Sequence, residues 1–175
     1  MYSEVREMFR APALIAYLVD RLLSKKQDMQ VGKTRIQKMI FLFSRRTPLE
    51  GIDFALHHYG TYSGQLDHEM MFGQRAGLLD VECDPRGQYF VKPGEKAQEF
   101  YDDAIISQPE KEAVEKIVDE YGDWSVAQLS LLATALFVKE QNPDSDLKDL
   151  VKGIKPFANE ADLDKAVDAA IAFSK

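Results

Sequence analysis

A chain of 175 residues with 45% hydrophobic content can bury a sizeable core, which excludes a disordered protein. No apolar run reaches the ~18–20 residues of a membrane span. Glu4 and Glu7 argue against a signal peptide, and a single cysteine, Cys83, leaves no internal disulfide and no cysteine-based zinc site. The expected location is therefore cytoplasmic, with no membrane partner. The net charge of −7 hides an asymmetry: residues 1–92 carry 13 Lys/Arg against 11 Asp/Glu, and residues 93–175 carry 9 against 18.

Residues 1–10 read as a lead-in or frayed turn. Pro12 suits the first turn of a helix, where the N–H it lacks has no partner anyway. Leu14, Ile15, Leu18, Val19 and Leu22 carry that helix to about Ser24. Gln27–Gly32 is a polar connection. A second helix opens at Lys33 or Thr34, with Ile36, Met39, Ile40 and Phe43 at helical spacing and Arg35, Lys38 and Arg45 on its other side. Pro48 and Gly51 end it. Ile52 to Tyr59 alternates as a strand, and Gly60-Thr61 turns the chain onward.

The next stretch is the most informative. Ser63 is a good N-cap, Leu66, Met70 and Gly73 make one buried helix face, and Gly77 falls where a helix C-terminus prefers a residue of positive φ. Val81 and Cys83, then Tyr89 and Val91, alternate with polar neighbours, and Asp84-Pro-Arg-Gly-Gln88 turns between them. Helix, glycine exit and hairpin predict the third helix and wing of a winged helix.

After a Pro93-Gly94 corner, Ala97, Phe100, Tyr101, Ala104 and Ile105 predict a further amphipathic helix. Ser107-Gln-Pro109 then separates a core from an extension. Helices follow on Val114 to Tyr121, on Leu129 to Phe137 behind a Ser125/Gln128 capping box, around Leu147 to Ile154, and after Asn159. The expected fold is mainly α with a small β-sheet (α+β): a winged-helix-like core over residues 11–106 and a helical extension over 107–175, packed on it as one compact unit. The last helix has an apolar face that its own chain or a second copy in a homodimer can cover; the sequence leaves both open.

Chemistry is sparse. Adjacent His57 and His58 on a strand face opposite ways, so at most one joins His68, too few ligands for zinc. Gly32-Lys-Thr34 lacks the upstream glycine of a phosphate loop, and Cys83 on a wing strand reads as a small apolar residue. Neither a catalytic constellation, a metal nor a cofactor is indicated. The outward face of the third helix carries Gly64, Asp67, His68, Met71, Gln74 and Arg75, nearly neutral, and the wing adds Arg86 and Lys92 against three carboxylates. A DNA-reading face needs several cations to neutralise phosphates. The basic positions lie earlier instead, with Arg35, Lys38, Arg45 and Arg46 in a segment, residues 21–46, whose eight cations face Asp28 alone. That patch is a docking site for a partner, protein or nucleic acid, or a solvated face matched by the acidic C-terminal half.

Arg35-Ile-Gln-Lys-Met-Ile-Phe-Leu42, Phe54 through His58-Tyr-Gly-Thr-Tyr-Ser63, Leu66 and Gly77-Leu-Leu79 together resemble the Panacea-type antitoxin domain and its uncharacterised prokaryotic relatives. The resemblance covers about residues 12–92 and departs from the family pattern at Thr61, usually proline. It implies a winged-helix-like fold that acts through protein contacts, as an antitoxin or adaptor, with no catalytic residues. It gives structural roles to Gln37, Tyr59, Gly60, Tyr62, Ser63 and Gly77: Gly60 for a turn, Tyr59 packed on the helix pair, Gln37 and Lys38 bonding backbone or a partner. A protein-interaction module is thus the first expectation, a duplex-DNA-binding transcription regulator the alternative, and a small enzyme or metal protein the third.

Overall fold

The computed structural model describes residues 2–173. Its architecture is mainly helical, with two antiparallel two-stranded sheets among the described residues. The first helix, α1 (Tyr2–Lys25), begins ten residues before the expected start, and Pro12 sits inside it rather than in its first turn. Long-range contacts explain the early start. Phe9 packs against Phe72 and Phe100, with ring centroids 5.4 and 4.7 Å away. Arg6 and Arg10 both bind Glu110. Tertiary contacts of this kind outweigh the intrinsic preference of a segment.

Helix α2 (Lys33–Ser44) follows, then β1 (Ala55–His57), β2 (Gly60–Tyr62) and α3 (Gly64–Arg75). The wing is β3 (Leu79–Cys83) and β4 (Tyr89–Pro93), in register Val81↔Val91. The α1–α2 connection joins it: Val91 N–H donates to the Val31 carbonyl at 2.9 Å, and Gly32 bridges to Phe90. The order is thus helix, bridging connection, helix, short hairpin, helix and wing, with the wing paired back to the α1–α2 connection. Ser63 caps α3 as expected, its Oγ accepting from Leu66 N–H, while Leu66, Met70 and Gly73 are buried. A Cβ at Gly73 would lie 3.2 Å from Pro12 Cβ and 3.1 Å from Leu79, so glycine there permits α1 and α3 to approach closely. Gly77 leaves the helix at φ 81°.

Two further expectations change. The single strand over 52–59 is a hairpin turning at His58 and Tyr59, so Gly60-Thr61 is strand and not turn. The amphipathic helix after Pro93-Gly94 is a single 3-10 turn, Ala97–Phe100. Asp102 ends it. Its side chain accepts from Ala104 N–H, and its carbonyl accepts from Ile105 and Ile106, a local closure that competes with helix.

The extension comprises α4 (Gln108–Tyr121), α5 (Val126–Gln141), α6 (Leu147–Ile154) and α7 (Glu160–Ala172). Glu110 Oε2 accepts from both the N–H and the hydroxyl of Ser107 at 2.7 Å, and Ser125 and Gln128 form the expected capping box. α4 packs on α1 and α5 on α2, while α7 covers α5 with Leu163, Ala166, Val167 and Ala170. Most of the apolar face of the last helix is thus covered within the chain, while Ile171 stays exposed.

Candidate functional site

The basic segment does not form an open patch. Arg35 is half-buried and donates to the carbonyls of Trp124 at 2.8 Å and Gly122 at 3.3 Å, beyond the end of α4; burial lowers its pKa. Arg45 pairs with Glu140 at 2.9 Å over the Phe41 ring. Arg46 pairs with Glu120 at 2.6 Å over Phe173. Lys38 is interior, only 2% exposed, and its Nζ donates to the Thr61 carbonyl at 2.5 Å. Arg35, Arg45 and Arg46 therefore meet the helical extension, and Lys38 meets the interior beneath the β1–β2 hairpin. Periodicity alone misplaces them because a face opposite the first apolar stripe can still meet a second layer of helices.

On α3, His68, Met71, Gln74 and Arg75 are exposed, as is Arg86 at the wing turn. Asp67 is occupied: Gln37 Nε2 donates to it at 3.0 Å and the Tyr62 hydroxyl at 2.7 Å, a bond that raises the pKa of Tyr62. Gln37 also exchanges two bonds with the backbone of Ser63, donating to its carbonyl at 2.8 Å and accepting from its N–H at 2.9 Å. One amide thereby holds the start of α3 against α2.

The β1–β2 hairpin is built into this framework. Gly60 has φ 95°, and a Cβ there would lie 3.2 Å from Thr134 Oγ1 and 3.3 Å from the Ser130 carbonyl, so only glycine fits. Ser130 Oγ donates to the Tyr59 carbonyl at 3.1 Å and Lys155 Nζ to the His58 carbonyl at 2.7 Å. The tip is held by its backbone, and its side chains meet one another and Tyr62: the His57 ring lies 5.0 Å from Tyr62 and the His58 ring 5.2 Å from Tyr59. Tyr59, expected to pack on the helix pair, is instead 75% exposed, and His57 and His58 are exposed beside it. Among the described residues, no group of three or more His, Cys, Asp or Glu side chains is placed to hold a metal ion.

Two hollows share a wall of Thr34, His57, His58 and Tyr59. The larger, about 970 Å³, runs between the hairpin, the start of α5 and the α6–α7 connection, and its apolar lining includes Val126, Ile154 and Phe157. Phe157 is 99% exposed. The smaller, about 330 Å³, lies over Lys33, Gln37, Lys38 and Asp67. Burial and, second, the nearby Lys155 push Lys38 down to about 8; burial also lowers Lys155. Sequence reasoning missed Ser130, Lys155 and Phe157 as site residues. Phe157 alone carried a local signal, an aromatic residue after Pro156 outside any helical repeat.

Comparison with models of known protein families gives no match, and neither does comparison with curated proteins. Among the described residues, no helix is long and apolar enough to cross a membrane.

Proposed function

We propose that this protein is a non-enzymatic winged-helix interaction module, antitoxin-like or adaptor-like, that works in the cytoplasm by docking another protein. The observation that carries this reading is the open groove at the β1–β2 hairpin, where Phe157, Tyr59, Ile154 and Val126 expose apolar surface beside a rigidly held backbone. Clustered exposed apolar side chains in a concave setting favour a protein contact. The internal pairing of Arg35, Arg45 and Arg46 supports it further, because it occupies cations that a phosphate backbone would need. Exposed Met71 adds an adaptable contact on α3.

Duplex DNA is the second reading, favoured by the winged-helix order and by exposed Arg75 and Arg86 on α3 and the wing. A low-salt mobility-shift assay with mixed-sequence duplex separates the two. The docking reading expects no shift, whereas a shift that weakens steeply with salt and is lost on Arg75→Glu and Arg86→Glu makes the protein a DNA binder. Capture with the full chain from its native host is expected to recover one stable partner, and to lose it when Phe157→Ser is used as bait. Recovery of no stable partner counts against docking.

A further inference from the structure

We propose that the hollow over Lys38 takes a carboxylate side chain from an acidic, apolar segment of a partner protein, whose apolar residues lie in the adjoining groove against Phe157. The inference rests on the docking reading and specifies its ligand.

The argument begins with an ammonium group in the interior. A lysine Nζ carries three donors, and Thr61 O is the acceptor that binds Lys38, at 2.5 Å. A buried cation is costly unless acceptors or an opposite charge meet it. The charge around it is mostly positive. Lys155 is near enough to depress Lys38 electrostatically, and Lys33 lines the same hollow. Asp67, the carboxylate of that lining, is already held by Gln37 and by the Tyr62 hydroxyl. His57 and His58 add ring N–H donors at the shared wall. A carboxylate supplies two acceptor oxygens and adds negative charge beside two lysines, which opposes the downward shift of Lys38. The hollow, at about 330 Å³, admits a side chain.

The neighbouring groove decides between a free anion and a peptide. A small anion would use the hollow alone and leave Val126, Ile154 and Phe157 uncovered. A chain segment with an acidic residue close to aromatic or branched apolar residues covers both. At the rim, Lys155 lines the groove and Lys33, over the Tyr89 ring, lines the hollow, against Asp162 of the groove, which Gln128 already binds.

The test uses the full chain, immobilised, to select from a displayed library of random 16-residue peptides. Enriched peptides are expected to place Asp or Glu within a few residues of Leu, Phe or Trp. A selected peptide is then titrated against the wild type, Phe157→Ser, Lys155→Gln and Lys38→Met, and its Glu→Gln version against the wild type. Each change is expected to weaken binding by about tenfold, the scale of one lost charge-assisted or buried contact. If Lys38→Met fails to fold, the surface variant Phe157→Ser and the half-buried Lys155→Gln carry the decision. Enriched peptides without acidic residues, no enriched peptide at all, or affinity unchanged in both of those variants would each overturn the proposal. Peptides that bind regardless of the groove variants leave the docking reading standing and remove only this site. Recovery of no stable partner by the wild-type chain in the capture experiment removes the docking reading itself.

Discussion

In the β3–β4 wing, five-residue strands meet at a turn that closes on itself: Asp84 Oδ1 accepts from the amides of Arg86 and Gln88 at 2.9 Å, and Gly87 turns at φ 79° in open space. The β1–β2 hairpin has three-residue strands and borrows its support from elsewhere, from Lys38 on α2, Ser130 on α5 and Lys155 beyond α6. The wing is a local structure that sequence chemistry can specify alone. The shorter hairpin exists because two helices and the α6–α7 connection grip its backbone, and that grip leaves Tyr59 exposed at its tip. The sequence draws attention to the wing, but the candidate site lies on the hairpin inserted between α2 and α3.

The largest contrast should come from the two glycines. Gly60→Ala puts a side chain at φ 95° and against Thr134 and Ser130, so backbone strain and steric crowding add to roughly 3 kcal/mol or more. Gly87→Ala has the same sign of φ but nothing within contact distance, and should cost about 1 kcal/mol. Urea denaturation of both variants measures the gap. Equal losses would mean that the inserted hairpin is no more tightly embedded than the wing.

Lys38 gives the next effect, through pH. Its folded pKa is about 8 against an ordinary 10.5. Below pH 8 both native and unfolded chains carry the charge, and the burial penalty is full. Between about pH 8 and 10.5 the unfolded chain holds the proton that the native state has released, so native stability rises. Relative to Lys38→Met, the wild type should therefore gain roughly 2–3 kcal/mol between pH 7 and pH 10.5. A stability difference flat with pH would place Lys38 in solvent-like surroundings and remove the main anchor of the hairpin.

The same division explains what the sequence discloses. α3 was legible because its signals are local: Ser63 at the N-cap, Leu66, Met70 and Gly73 on one face, Gly77 at the exit. The capping box before α5 and Asn159 before α7 are legible for the same reason. The first turns of α1 were not, since Arg6, Phe9 and Arg10 are held by residues some sixty to a hundred positions away. The basic segment misled for a related reason. Arg45 and Arg46 look solvated beside their own helix, but Glu140 and Glu120 reach them from the extension. The candidate groove combines both problems, because it joins Tyr59, Val126 and Phe157 from three separated stretches.

Gln37 sharpens the comparison at the root of the inserted hairpin. Gln37→Ala leaves the buried Ser63 N–H without its partner, leaves the Ser63 carbonyl only the Asp67 N–H at 3.4 Å, and frees Asp67 on one side. The expected loss is about 1–3 kcal/mol, below that of Gly60→Ala because the fold keeps its shape. Amide hydrogen exchange should quicken at Ser63 and through the first turn of α3 while the wing amides stay unchanged. Equal acceleration in β3–β4 would couple the two hairpins and break the distinction between them.

The smallest effect belongs to the wing. Lys92 Nζ bonds both carboxylate oxygens of Glu82, at 2.9 and 3.0 Å, but both side chains are more than half exposed. Exposed pairs gain little because water screens the attraction and two flexible side chains lose freedom. A double-mutant cycle of Glu82→Ala and Lys92→Ala should give a coupling of about 0.5 kcal/mol or less, falling further as salt shortens the screening length. The local turn, the Val81↔Val91 pairing and the Val31 bond hold the wing without it. A coupling well above 1 kcal/mol that survives high salt would mean that the wing, like the other hairpin, depends on side-chain support, and its exposed cations would then be structural rather than free for a ligand.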